Sequence, residues 1–253
     1  MILAVNIGNT NIRAAVGDSG IIAQTVFYAS EDPIAQIEKG LSSDIWGKIT
    51  GVIIATVVPA QTPAITTLLK SKLNVPIKRV DITNCGDLDI SRYTGLLGED
   101  RVVCCSRALA IVRQKNIAAP FVVIDFGTAT TINVVTANGI FLGGAILAGL
   151  QTSINALAQN TAQLPQINFN TTEKIPLIGT NTADNLRAGS AIGLACATEG
   201  FLARIKTELQ TKNLTVIVTG GHSPIILPYC NFNHLYEPTL LLEGLLQFFN
   251  DKR

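Results

Sequence analysis

Apolar residues along the first thirty positions fall in short runs broken by small polar turns. ILAVNIG (2–8) reads as a strand, NIRAAVG (11–17) as its return and IIAQTVF (21–27) as a third. The connections are short, so the three strands should pair antiparallel. Segment 32–41 has Asp followed by Pro at its start, which predicts a helix. GVIIATVVP (51–59) is rich in β-branched residues and predicts a buried strand. A helix over 60–73 and a strand over 76–82 should follow.

Residues 85–98 are glycine-rich and polar, as a loop would be. The segment 100–115 carries Val103, Leu109, Ala110 and Val112 at helical spacing. Then the order starts again. FVVIDFGTATTINVV (121–135) is strand, turn and strand, and GIFLGGAIL (139–147) is a third strand. Helices are expected over 149–161 and 182–210, a strand running into a glycine turn at LTVIVTGGH (214–222), and a helix over 239–249.

Each half therefore opens with an apolar strand and a small-residue turn, VNIGNTN and IDFGTAT. Both turns read polar–apolar–Gly with threonine close behind, a signal of internal duplication. The chain should be α/β, two duplicated halves with a central mixed sheet in each and a cleft between, divided as 1–115 and 116–253.

Composition narrows the class. Hydrophobic residues make up 47% of the 253 and charged residues 15%, and mean hydropathy is +0.37. So apolar a chain buries much of itself, and a subunit interface is a natural place for the remainder. Net charge is +1 without a basic run, so nucleic acid is not an expected partner. No apolar run approaches the roughly 20 residues of a membrane span, and no basic segment precedes a signal-like stretch. The five cysteines (85, 104, 105, 196, 230) are odd in number, with no CxxC, which suggests free thiols and a cytoplasmic protein. His222 and His234 lack a metal-site spacing, so no zinc site is expected.

Four elements carry chemistry. Small residues after a strand let backbone amides approach a phosphate, with Thr10, Asn11, Thr128 and Thr130 adding donors. Asp125 at a strand end can hold a cation beside phosphates. Taken singly, each turn reads better as a tight hairpin; the pair in matching register favours nucleotide. TGGH (219–222) can lie against a base or ribose, or be an ordinary loop with an incidental His222. In GEDR (98–101), Asp100 can accept a proton and Arg101 can pin a carboxylate. The same residues also suit a plain helix start, where acids are favoured by the dipole.

With these elements in order, the chain resembles the type III pantothenate kinases of the actin-like, sugar-kinase-like ATPase superfamily, whose fold contains ribonuclease H-like halves. NIGNTN stands for the family's D-x-G-N-T-N, Tyr93 and GEDR for Y and G-x-D-R, and DFGTA (125–129) for D-x-G-T-A. GGAI (143–146), NALAQNTAQLP (155–165), GTNT (179–182), TGG (219–221) and LLLEGL (240–245) also look like family segments. The resemblance implies ATP-dependent phosphorylation of pantothenate to 4'-phosphopantothenate, the first step of coenzyme A biosynthesis. It implies ATP contacts at Asn6, Ile7, Gly8, Asn9, Thr10, Asn11, Ile12, Arg13 and Thr128. It implies pantothenate contacts at Tyr93, Gly98, Glu99, Asp100, Arg101 and Thr182, with Asp100 the catalytic base. Asp125 is implied as the metal ligand for a monovalent cation, K+ or NH4+. Mg2+ enters with ATP, and a homodimer is implied.

The chain departs from the family near these positions. Asn6 replaces Asp, Glu99 stands where a small or apolar residue is usual, Ala148 where Pro is frequent, and Gly95-Leu96 where Asn-Pro is. Asn6 should weaken magnesium binding while leaving the fold, and the Glu99 charge could raise the Asp100 pKa. A catalytically weakened member acting as a regulatory or accessory protein therefore stands as the alternative to an active kinase. A kinase for another small hydroxyl substrate is a third reading.

Overall fold

The computed structural model describes residues 1–9, 11–18, 20–29, 37, 39–169 and 174–250. The chain divides into two compact units. The first takes residues 1–117, 139–141 and 239–253, the second 118–138 and 142–238. The expected cut between 115 and 116 takes no account of the C-terminal helix, which packs with the first unit.

In the first unit, β1 (Ile2–Ile7), β2 (Asn11–Asp18) and β3 (Ile21–Ala29) form the antiparallel meander that the short turns predict. β4 (Gly51–Thr56) then pairs parallel to β1, and β5 (Ile77–Arg79) parallel to β4, in sheet order β3-β2-β1-β4-β5. Of the helix expected over 32–41, residues 37, 39 and 40 are helical and the remainder lies largely outside the described residues. A short helix α1 (Ser43–Trp46), not anticipated from the sequence, precedes β4, and α2 (Thr62–Lys72) links β4 to β5. Leu3, Val5 and Ile7 alternate onto one face of β1 and join Ile37, Ile65 and Leu69 in a buried core.

Alternation puts Asn6 on the opposite face of β1, the face shared with Ala4. That side is covered by α3 (Glu99–Gln114) and the C-terminal α8 (Leu240–Asn250). α8 comes close because two strand positions are glycine. A Cβ on Gly51 would stand 2.3 Å from the Phe249 ring, and one on Gly17 2.6 Å from Leu246.

The second unit repeats the order. β6 (Phe121–Phe126) pairs antiparallel with β7 (Ala129–Val135), with β8 (Phe141–Ala148) beyond it, and parallel with β9 (Thr215–Thr219), which pairs parallel with β10 (Leu235–Tyr236). The sheet order β10-β9-β6-β7-β8 is that of the first sheet read in reverse, so the duplication seen in the two turns extends to topology. The intervening helices are α4 (Leu150–Asn160), α5 (Thr182–Arg187), α6 (Gly193–Glu208) and α7 (Ser223–Ile226). Val122, Ile124, Ile132, Leu194 and Val218 lie in its core.

Three expectations change in detail. The helix expected over 182–210 is interrupted by a π turn, Ala188–Ile192, whose Ala188, Ser190 and Ala191 are buried, the two alanines in the core of this unit. The strand expected over 51–59 ends at Thr56, because the Thr56 N–H donates to the Glu99 carboxylate and the Val58 N–H to the Thr56 hydroxyl. The strand expected over 76–82 ends at Arg79, because Asp81 Oδ1 draws in the Thr83 N–H and hydroxyl to make a local turn.

Candidate active site

In the first unit, β1 ends at Ile7 and the chain turns through Gly8 and Asn9 into β2. The Gly8 N–H donates to Asn11 O at 3.1 Å. A Cβ on Gly8 would stand 2.9 Å from that same oxygen, so the turn closes only around a glycine. Thr10 lies outside the described residues. Asn6 faces Arg13 across the β1–β2 pair, and Ile12 lies opposite Ile7 with its side chain buried. Ile7 and Ile12 thus contribute backbone and core to this turn rather than polar side chains. The Asn6 Oδ1 is buried and has no hydrogen-bond partner among the described residues, an acceptor left for a ligand to satisfy.

The GEDR segment opens α3 with Gly98 as its N-cap, at φ −60° and ψ 137°. Asp100 Oδ1 accepts the Arg101 N–H at 2.8 Å. A Cβ on Gly98 would lie 2.6 Å from that Oδ1, so glycine here makes room for the carboxylate. Burial pushes the Asp100 carboxyl upward, against the opposing pull of the Arg101 N–H and guanidinium. The expected direction is therefore found with another cause: burial, not the Glu99 charge. Glu99 is held by Arg79 at 2.8 Å. On the next turns of α3, burial also pushes the Cys105 thiol up to about 12, so this cysteine stays protonated.

Arg101 is 8% exposed. Its guanidinium lies 5.6 Å from the ring centroids of both Tyr93 and Phe141, which themselves meet edge to face. Phe141 reaches this place because its N–H bonds Asp89 O while Asp89 N–H bonds Gly139 O, pinning the loop before α3 to residues 139–141. The structure thus brings Tyr93, Gly98, Glu99, Asp100 and Arg101 together at one helix start. Ile7 and Thr56 are neighbours in the β1–β4 register, and Thr56 donates to Glu99. That links the Gly8 turn to the same place.

The second unit carries its own cluster. The β6–β7 turn closes with Gly127 N–H on Ala129 O at 3.2 Å. Asp125 at the strand end sits between two glycines. A Cβ on Gly127 would come within 3.2 Å of its Oδ1, and one on Gly220, at φ +104°, within 2.4 Å. Thr128 O is fixed by the Gly149 N–H at 3.1 Å and the Thr152 hydroxyl at 2.7 Å. His222 Nδ1 lies 3.2 Å from Gly127 O, and the His222 N–H donates to Phe126 O. The TGGH histidine, read as incidental, is a brace of this turn. Thr182 lies on the same unit, exposed at the first position of α5, where Asn181 caps the helix by accepting the Asp184 N–H. Among the described residues no group of three His, Cys, Asp or Glu side chains gathers to hold a metal ion.

Phe141, Thr56, Arg79 and His222 were not singled out as site residues from the sequence. Of these, only His222 stood in a motif, TGGH; Arg79 follows Lys78 in PIKRVDI and, like Thr56 and Phe141, gave no distinct signal there.

A family model for type III pantothenate kinase matches residues 2–204. The type III pantothenate kinase of Rubrobacter xylanophilus is 33% identical over 263 residues, covering 97% of this chain and 96% of that protein. That of a Sulfurihydrogenibium species is 31% identical, covering both chains fully. Among solved structures, a protein assigned to the Baf family of transcriptional activators from Campylobacter jejuni superposes with a TM-score of 0.62 at 19% identity, over 98% of both chains. Component A of the Acidaminococcus fermentans (R)-2-hydroxyglutaryl-CoA dehydratase superposes at 0.52 and 13% identity, over 97% of this chain and 95% of that one. These two show the fold, that of the actin-like ATPases. With the family match running from β1 into α6, and relatives above 30% identity over nearly their whole length, this chain belongs to the type III pantothenate kinase family.

Proposed function

We propose that this chain transfers the γ-phosphoryl group of ATP to the primary hydroxyl of pantothenate, with Asp100 as the proton acceptor and Arg101 as the anchor of the substrate carboxylate. The observation that carries the reading is the Asp100–Arg101 pair. One member is a carboxyl raised by burial, the other a guanidinium walled by Tyr93 and Phe141, both at a helix start. Phosphoryl transfer asks for alignment and charge neutralisation more than covalent chemistry. A base poised above the ordinary carboxylate range suits removal of an alcohol proton as the new bond forms.

The Gly8 turn, from Asn6 to Arg13, and Thr128 are assigned to ATP, and Tyr93, Gly98 and Thr182 to pantothenate; the Glu99 carboxylate, taken up by Thr56 and Arg79, is not assigned to substrate. The Asp125 carboxylate, set between Gly127 and Gly220, fits a cation with oxygen ligands. Asp125 is assigned to a monovalent cation, K+ or NH4+. Mg2+ bound with ATP would supply neutralising charge for the phosphates. Most of its ligands must then be phosphate oxygens and water, as is usual for this ion.

A homodimer is assigned from the resemblance to the family, with exposed apolar side chains such as Ile146, Leu177 and Ile178, at 63%, 72% and 83%, left for an interface to cover. No helix among the described residues is long and apolar enough to cross a membrane, and all five cysteines are free thiols. Both fit a cytoplasmic enzyme.

The test is ATP-dependent phosphorylation of pantothenate by the purified chain with Mg2+, with and without K+. Turnover supports the reading. Failure to turn over, together with failure to bind either substrate, would sink it.

A further inference from the structure

Glu99 is the first residue of α3 and the neighbour of Asp100. Its side chain is 16% exposed, and both oxygens are engaged. Oε2 accepts the Thr56 N–H at 2.8 Å, and Oε1 accepts from the Arg79 guanidinium at 2.8 Å. The sheet explains why. β4 and β5 pair from Val52 opposite Ile77 to Ile54 opposite Arg79, and the Val80 N–H still donates to Ile54 O. One step further along β4, the Thr56 N–H meets the Glu99 carboxylate instead of a strand carbonyl. The last residue of β5 donates to the other oxygen of the same carboxylate.

On the opposite edge of β4, Thr56 lies beside Ile7, and the Val57 N–H donates to Ile7 O at 3.1 Å. The Thr56 hydroxyl accepts from Val58 N–H and from the Thr62 hydroxyl, each at 3.0 Å. A run of directed bonds therefore leads from the end of β1, where the Gly8 turn begins, across β4 to the residue next to Asp100.

We propose that Glu99 is a positioning residue for phosphoryl transfer: it splices the start of α3 into the end of the β4–β5 ladder and holds Asp100 in register with the Gly8 turn. It acts through Thr56 and Arg79, with no free oxygen for substrate. An exposed ion pair would do little of this kind. A mostly buried carboxylate on a backbone N–H is a charge-assisted bond with fixed direction. The inference rests on the reading of Asp100 as base, and its size follows from geometry: displacing a reacting group by about 1 Å costs on the order of 10²-fold in rate.

The test is steady-state kinetics over a pH series on the full chain, with melting curves, for Glu99→Gln, Glu99→Ala, Arg79→Met and Asp100→Asn. Glu99→Ala should lower kcat by about 10- to 100-fold while both KM values stay within about twofold. It should also move the acid limb of kcat to lower pH, because water reaching Asp100 undoes the burial that raises its carboxyl. Glu99→Gln keeps an acceptor for the Thr56 N–H and should recover most of kcat. Arg79→Met should give a smaller loss with the same movement of the acid limb.

A raised KM for pantothenate with kcat unchanged would overturn the inference, since Glu99 would then touch substrate. A lower Tm with kcat and acid limb unchanged would overturn it as well. An inactive Asp100→Asn beside a wild-type-like Glu99→Ala sinks this inference alone. Wild-type turnover by Asp100→Asn removes the base reading and this inference with it.

Discussion

Arg101 stands over the ring of Tyr93, its guanidinium 5.6 Å from the centroid, and one of its N–H groups points to the Tyr93 hydroxyl at 3.4 Å. Tyr93 and Phe141, set edge to face at 73°, wall the guanidinium on two sides, each ring centroid 5.6 Å away. A lysine ammonium keeps the charge but neither stacks nor forks. Arg101→Ala and Arg101→Lys should therefore both raise the KM for pantothenate, by about 10- to 100-fold for the alanine. The KM for ATP should stay nearly constant in both. Kinetics with each substrate varied in turn checks this, and full recovery by lysine would show that only charge matters at this position.

The unpartnered Asn6 Oδ1 makes a second prediction. Aspartate there would place a charge where the amide oxygen now finds no hydrogen-bond donor among the described residues. Without a cation that charge is a burden; with one it gains a counter-ion. Asn6→Asp should melt below wild type in chelator and regain the difference when Mg2+ and ADP are added. Its half-saturating Mg2+ concentration in the kinase assay should fall about tenfold. Equal melting temperatures with and without Mg2+ would remove Asn6 from the cation's surroundings.

How much of this could be read from the chain alone follows from sequence separation. The Gly8 turn, the start of α3 and the Asp125 turn are local patterns, and each falls where alternation and turn chemistry place it. The partners of those residues are not local. Glu99 meets Thr56 across 43 positions, and His222 meets Gly127 across 95. Nothing in GEDR specifies that its Glu completes a strand ladder. Nothing in TGGH tells a brace from a loop until β9 lies beside β6. The place of α8 in the first unit is of the same kind: it depends on Gly17 and Gly51 being flat beneath Leu246 and Phe249.

Gly149 makes the third prediction. Its φ of −71° suits any residue, so its demand is purely steric. A Cβ there would lie 2.3 Å from both Gly127 O and Thr128 O. Those are backbone atoms of the Asp125 turn and cannot swing aside. Gly149→Ala should cost about 1–3 kcal/mol of stability by overpacking and distort the turn assigned to ATP. Thermal melting and ADP titration together check it. A lower Tm with unchanged ADP affinity would separate this turn from the nucleotide.

Asp100 makes the last prediction, and its sign comes from the raised carboxyl. Folding favours the protonated form, because burial penalises the charged one. The stability that Asp100 contributes is therefore complete below its unfolded value near 3.8 and lost as pH rises through the higher folded value. Once Asp100 ionises, the chain carries a buried charge, answered only in part by the Arg101 N–H and guanidinium, with Glu99 and the protonated Cys105 thiol also beside it. Asn keeps the oxygen that accepts the Arg101 N–H and carries no charge. Asp100→Asn should thus melt above wild type at pH 7, with the difference closing by about pH 3. Its kcat should fall by about 10²- to 10⁴-fold, the usual worth of a positioned base. Gain in stability and loss of turnover in one variant would mark Asp100 as a group held in its charged state for chemistry at the expense of the fold. A melting curve at or below wild type at pH 7 would mean that Arg101 already compensates the charge in full.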